Sequence, residues 1–330
     1  MSSVDRRLQG VLLLLGVWIA ALLIYPMVGS QVLSWRDLFT GETTTAVIFW
    51  KLRLPRALLG LLAGGSLAVS GLTLQTLFRN PLAEPYTLGV ASGAALGAVL
   101  ALLLGGSGVG TSFPTVGLSS LLGALAVAAI LVALSSSRFG GDSSTLLLAG
   151  IAISLSCSAL ILFVQFLADF TQTFRMVRWM MGGLAVVGFR EVLWVSPIAI
   201  SGVAILFGYR RELDLLLASD ELASSRGLDL IRFRCVALGV TSIVIGGIVA
   251  VAGPIGFVGL IVPHILRRWL GHAHLYLIPA CALGGGAFLT MCDLAARTIL
   301  APAELPVGIL TALLGGPFFV WLLLRRRVVH

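Results

Sequence analysis

Asp293 and Arg297 stand four residues apart inside the apolar run 275–298, a spacing that puts a carboxylate and a guanidinium on one helix face, where pairing neutralises both. Carboxylates or histidines at membrane depth are also what proton- or ion-coupled transport uses, and other candidates are sparse. His264 follows Pro263, and His272 and His274 share a turn; this placement suits solvated or packing histidines better than a ligand set. The stretch 48–57, IFWKLRLPRA, sets Lys51, Arg53 and Arg56 just before a long apolar run. Cations so placed either reach lipid phosphates or meet carboxylates on a partner.

One polar segment interrupts the second half. The loop 209–234 contains SDELASSRGLDL, in which Asp220 and Glu221 can cap a short helix that Gly227 ends, leaving Leu222 on one side of a compact knob. A solvated surface helix has the same local pattern. No catalytic signature accompanies these residues. A P-loop needs a lysine after its glycine-rich turn, and the single lysine, Lys51, follows Ile-Phe-Trp. No His-Glu-x-x-His, Gly-x-Ser-x-Gly or paired-cysteine zinc pattern occurs, so neither an enzyme nor a metal site is expected. Cys157, Cys235, Cys281 and Cys292 read as small apolar packing residues.

The elements that must position these groups are membrane spans. Of the 330 residues, 58% are hydrophobic and 11% charged, and the mean hydropathy is +1.05, well beyond what one soluble core requires. Apolar runs lie near 11–28, 57–77, 88–105, 116–134, 145–168, 192–208, 235–252, 255–270, 275–298 and 305–324. These lengths suit helices and not the alternating ten-residue strands of a barrel. The expectation is an all-α polytopic membrane protein of ten transmembrane helices, one domain over 1–330. Arg6 and Arg7 precede 11–24 as in a signal peptide, but no small-x-small cleavage site follows, so this run reads as a retained first helix.

Ten spans put both termini on one side, and assigning that side to the cytoplasm leaves fourteen cations inside and eight outside, as orientation by positive charge requires. The net charge of +8 is therefore a topological signal, not a nucleic-acid footprint. Lys51, Arg53 and Arg56 then lie outside, against the trend. Residues 68–71 (AVSG) and 250–253 (AVAG) each have nine residues between the glycine and a following proline. The match sets the second span against the seventh, and that odd offset implies an inverted-topology repeat of helices 2–5 and 7–10. Gly60-x-x-x-Gly64 and Gly89-x-x-x-Gly93-x-x-x-Gly97 read as faces for close helix packing.

RLPRALLGLLAGGSLAVSGLTLQTLFRNPLAEPYTLGVASGA (53–94), LLLAG (146–150), GPIGFVGLIVPHILR (253–267) and AELPVGILTALLGGP (303–317) resemble the FecCD-type permeases, membrane subunits of ABC importers for iron-siderophores, haem and cobalamin. Glu221-x-Ala223-x-x-x-Gly227 also fits the Glu-Ala-Ala-x-x-x-Gly pattern shared by such importers, with Leu222 in place of the middle alanine. The resemblance implies a bacterial inner-membrane permease with both termini cytoplasmic, two permease subunits (a homodimer) around a central path, two cytoplasmic ATPases that bind the ATP, and a periplasmic or lipid-tethered binding protein. No cofactor resides in the chain itself. It makes Ser219, Asp220, Glu221, Leu222, Ala223, Ser224, Ser225, Arg226 and Gly227 the coupling helix. It makes Asp142, Ser143, Ser144 and Thr145 part of a cytoplasmic gate, and the fifth and tenth helices the lining of the path. Arg53, Arg56 and Arg297 match arginines that meet the binding protein in cobalamin permeases. The outer loop TGETTTAV lacks a further docking cation carried there by such permeases. WMMGGLAVVGF (179–189) leans slightly toward cobalamin. A gradient-driven secondary transporter and a non-transporting scaffold are the rival classes; few intramembrane carboxylates disfavour the first, and a glycine-lined, repeat-built bundle disfavours the second.

Overall fold

The computed structural model describes residues 3–28, 44–105, 113–136 and 143–326. Among these residues every regular element is helical. Helix α1 (Ser3–Ile24) leads into a 3-10 turn (Tyr25–Met27), and α2 (Thr44–Val47), a π turn (Ile48–Arg53) and α3 (Leu54–Leu77) follow without a break. After them come α4 (Val90–Leu104), α5 (Phe113–Ser136), α6 (Ser143–Leu167), α7 (Phe170–Met180), α8 (Arg190–Gly208), α9 (Arg210–Ala218), α10 (Asp220–Ser225), α11 (Leu230–Ala252), α12 (Val258–Leu270), α13 (His274–Thr298) and α14 (Val307–Arg326).

Among the described residues seven helices have the length and apolarity to cross a bilayer; α4 and α12, which fall on two other expected crossings, are shorter, and α14 lies on the last. The second span begins well before the expected residue 57. Its continuous helix covers 34 residues from Thr44 to Leu77, about 50 Å at ~1.5 Å per residue. That exceeds a hydrocarbon core of about 30 Å, so its first turns, which carry Lys51, Arg53 and Arg56, lie beyond the apolar layer. We call this the arginine end of the bundle; α3 runs from it to the opposite end, where α9 and α10 sit.

The short helices α4 and α12 are short because each starts inside the bundle. Leading into α4, Gly89 takes a left-handed conformation (φ 77°) beside Gly150 and Ile153 of α6. Entering α12, Phe257 does so at φ 68° against Gly315 of α14. Backbone irregularity at this depth is tolerable because it is enclosed by protein. Gln75 ties one break to its surroundings, donating Nε2–H to the Gly259 carbonyl (3.0 Å) while its Oε1 accepts from Arg267 Nη2 (3.0 Å).

Helix pairing follows the inverted-repeat pattern. The second expected span, α3, packs broadly on the ninth, α13, and the seventh, α11, packs likewise on the fourth, α5. Similarly α3 meets α12 as α11 meets α4. The Ala-Val-x-Gly match does not carry this relation, because Gly71 sits inside α3 whereas Gly253 ends α11 at φ 64°. The small residues are contact points: Gly64 lies on the Gly285 carbonyl of α13, and Gly93 and Gly97 lie on the Gly123 and Ser119 carbonyls of α5.

Gly71 gives this packing a test. A Cβ there would overlap the Gly259 backbone, which cannot rotate away. Gly71→Ala is expected to cost about 1–3 kcal/mol through overpacking; a lowered thermal transition of the purified chain in detergent checks it.

Helix α7 lies between the expected fifth and sixth spans and was not among the apolar runs, since it is amphipathic. Its start is encoded locally as a capping box: Asp169 accepts from the Gln172 amide (2.7 Å) and the Gln172 side chain accepts from the Asp169 amide (3.1 Å).

Candidate functional site

At the arginine end the three singled-out arginines converge with Asp293 of α13, the turn after α1 and Glu304 of the α13–α14 connection. Arg56 grips Asp293 with two parallel bonds, Nε to Oδ2 at 2.8 Å and Nη2 to Oδ1 at 2.9 Å. Its remaining edge, Nη1, donates to Glu304 at 2.7 Å. Tyr25 donates its hydroxyl to Asp293 Oδ2. Arg297 stacks 4.5 Å over the Tyr25 ring, and its Nε stands 3.6 Å from Asp293. Arg53, 6% exposed, donates to the Pro26 and Met27 carbonyls at 3.3 Å each.

The expected Asp293–Arg297 pair therefore exists only as the longer contact. Arg56, 237 positions away in the chain, is the bidentate partner, and planar fork-on-carboxylate geometry is the stronger arrangement. Arg53, Arg56 and Arg297 thus brace α1, α3 and α13 against one another. Among the described residues the cations exposed at this end are instead Lys51, Arg178 and Arg190. Arg178 and Arg56 line one cleft of about 240 Å3 together with Trp179, Gly183 and Glu304.

At the opposite end, the segment 209–234 forms α9, α10 and the first turn of α11. Ser219 caps α10, its Oγ accepting from the Leu222 amide at 2.9 Å. Asp220, expected to cap, is used otherwise: Arg79 holds one carboxylate oxygen at 2.6 Å and Arg234 the other at 3.0 Å. Arg79 itself adopts φ 45° just past α3 and also donates to the Leu216 carbonyl (3.0 Å). Ala223 is fully buried as a plug beneath α10. The exposed face is made by Glu221, Leu222, Ser224, Ser225 and Arg226. Gly227 closes the helix at φ 84°, with its amide bonded to Ser224 O (2.9 Å) and that of Leu228 to Ala223 O (3.1 Å).

His274 ties α9 to the bundle. Its buried ring bridges Asp214 Oδ1 (Nδ1, 2.6 Å) and the Thr76 hydroxyl (Nε2, 3.0 Å), and its amide also bonds Asp214 (3.0 Å). Burial pushes the Asp214 carboxyl up, but the hydrogen bonds from the His274 ring and amide and the ring's charge outweigh it and hold the group below its ordinary value. Of the two readings left open for this turn histidine, solvated or packing, the structure shows packing: it is a structural joint.

Of the gate residues, Asp142 lies outside the described residues, Ser143 and Ser144 open α6, and Thr145 is exposed on its first turn. Glu84 was missed. It is 8% exposed, between Pro81 and Pro85, in the segment joining α3 to α4. With Tyr86, Met180, Met181 and Phe257 it lines a cavity of about 580 Å3 where the α4 and α12 breaks face each other. The Ala-Glu-Pro in the connection between the apolar runs 57–77 and 88–105 was its legible signal.

Comparison with known proteins covers nearly the whole chain. The FecCD transport family matches residues 13–325. The haemin transport system permease HmuU of Yersinia pestis is 41% identical over 98% of this chain and 96% of the relative. The vitamin B12 import permease BtuC of Shigella boydii is 39% identical over 98% and 97% respectively. A solved structure of a candidate metal-chelate type ABC transporter in an inward-facing conformation superposes with a TM-score of 0.85 at 30% identity, covering 96% of this chain and 99% of that one.

Proposed function

Since the chain belongs to the FecCD transport family, as the permease subunit of an ABC importer, we propose that it carries a bulky metal chelate of the haem or cobalamin class into the bacterial cytoplasm by alternating access, powered by ATPases on separate subunits. The observation that carries this reading is similarity over nearly the whole length of both a haem and a cobalamin permease. Because the two relatives are nearly equally similar, the slight lean toward cobalamin gains nothing from them. Lys51, the only lysine, does not follow a glycine-rich turn, which supports an ATP site elsewhere.

In this proposal α10 is the coupling helix and its end of the bundle faces the cytoplasm. Ser219 and Gly227 fix its length, Asp220 anchors it between Arg79 and Arg234, and Leu222 leads the exposed face. Motion of an ATPase pressing on α10 passes through Arg79 to α3 and through His274 to α13, the two helices that pack on each other most broadly. The exposed apolar faces of α6 and α14, including Leu155, Leu162, Leu313 and Val320, fit a second copy of the chain across a shared path. On the outer side, Arg56 and the exposed cations around it receive an acidic binding protein. Residues 40–43 of TGETTTAV, the stretch where such permeases carry the further docking cation, lie outside the described residues.

Purified chain reconstituted alone in vesicles with proton and sodium gradients tests the energy source. No uptake of haem or cobalamin is expected until the ATPase and binding protein are added; robust gradient-driven uptake would replace the ABC reading with a secondary transporter.

A further inference from the structure

We propose that the outer cleft between Arg56 and Arg178 is a carboxylate socket which this chain's own Glu304 keeps occupied, and that an acidic side chain of the docking binding protein displaces Glu304 to enter it. The inference rests on the permease reading above and adds to it an internal competitor.

Geometry divides the Arg56 guanidinium into two edges. The inner edge, Nε and Nη2, is committed to Asp293, which is fully buried. The outer edge, Nη1, bonds only Glu304, which is 52% exposed and lies in the exposed connection between α13 and α14. Removing Glu304 therefore opens a charged N–H edge to solvent while Asp293 holds the guanidinium in place. Arg178, exposed at the last turn of α7, lines the same cleft. Arg178 brings a second positive charge to the cleft without pairing with Glu304, which is the only carboxylate among the cleft's lining residues. An ion pair whose carboxylate faces solvent contributes little, so a partner's carboxylate can exchange with it. Such an exchange is nearly neutral in charge, which makes the socket a selector of register and not a source of large affinity.

The test measures association of the substrate-binding protein encoded with this chain to the permease–ATPase complex in nanodiscs, at low and high salt. Glu304→Gln vacates the socket and is expected to speed association up to about fivefold, the factor set by an exposed pair. Arg178→Gln is expected to slow it, and both differences should shrink at high salt. If the wild-type complex binds but Glu304→Gln is unchanged or slower, the internal-competitor role is overturned. If Arg178→Gln associates as fast as wild type, the socket is overturned. No association by the wild type at either salt would instead remove the permease–binding-protein reading on which the inference stands. A partner-free readout is the charge preference of Glu304→Cys toward thiol reagents. An anionic methanethiosulfonate is expected to react several-fold faster than a cationic one, and equal or reversed rates overturn the electropositive socket.

Discussion

Asp293→Ala is expected to destabilise the protein by about 3–5 kcal/mol, the cost of leaving a buried charge without its partner. Asp293 is fully buried and is the common acceptor for Arg56, Tyr25 and, at longer range, Arg297. Its loss strands the inner edge of Arg56 and the Tyr25 hydroxyl together. Because those groups come from α3, the turn after α1 and α13, the arginine end should loosen as a unit. The measurement is the thermal transition of the purified chain in detergent. A double-mutant cycle with Arg56→Met isolates the pair: the double variant should recover part of the loss, since it removes both charges. Additive losses would show that the salt bridge does not hold this end together.

Leu222→Arg is expected to reduce ATP hydrolysis coupled to transport at least tenfold, equivalent to about 1.4 kcal/mol or more of lost docking, while leaving the thermal transition of the isolated chain unchanged. Leu222 is the large apolar side chain on the exposed face of α10, 40% exposed and in no core contact that a charge would break. Ala223→Arg probes something else. Ala223 is fully buried under α10, so an arginine there displaces the helix from its seat and lowers stability. Gly227→Pro likewise acts on the fold, because its amide bonds Ser224 and its φ of 84° lies outside what proline reaches. ATPase activity measured in the assembled complex with each variant separates the two cases. Unimpaired coupling in Leu222→Arg would exclude the α10 surface as the contact.

What the sequence determined by itself is what depends on composition or on a few neighbouring residues. Hydropathy made this a helical membrane protein, because lipid leaves every backbone polar group to be satisfied within its own segment. The knob at 219–227 was legible because a polar cap and a helix-ending glycine act locally, although the capping side chain is Ser219 and not the expected Asp220 or Glu221. The capping box of α7 was equally local, but an apolar-run reading passes over an amphipathic helix. Tertiary structure alone decided the partners of charge. Arg297 is the sequence neighbour of Asp293, yet Arg56 holds it because the α3–α13 contact brings residues 237 apart within 2.8 Å. It decided too that Arg53, Arg56 and Arg297 brace the arginine end while Lys51, Arg178 and Arg190 face solvent, and that His274, which its turn left as either solvated or packing, is a buried joint. The breaks before α4 and α12 and the burial of Glu84 between them belong to the same class. Each depends on which helices enclose a segment, and enclosure is set by packing across the whole chain, where local spacing carries no information.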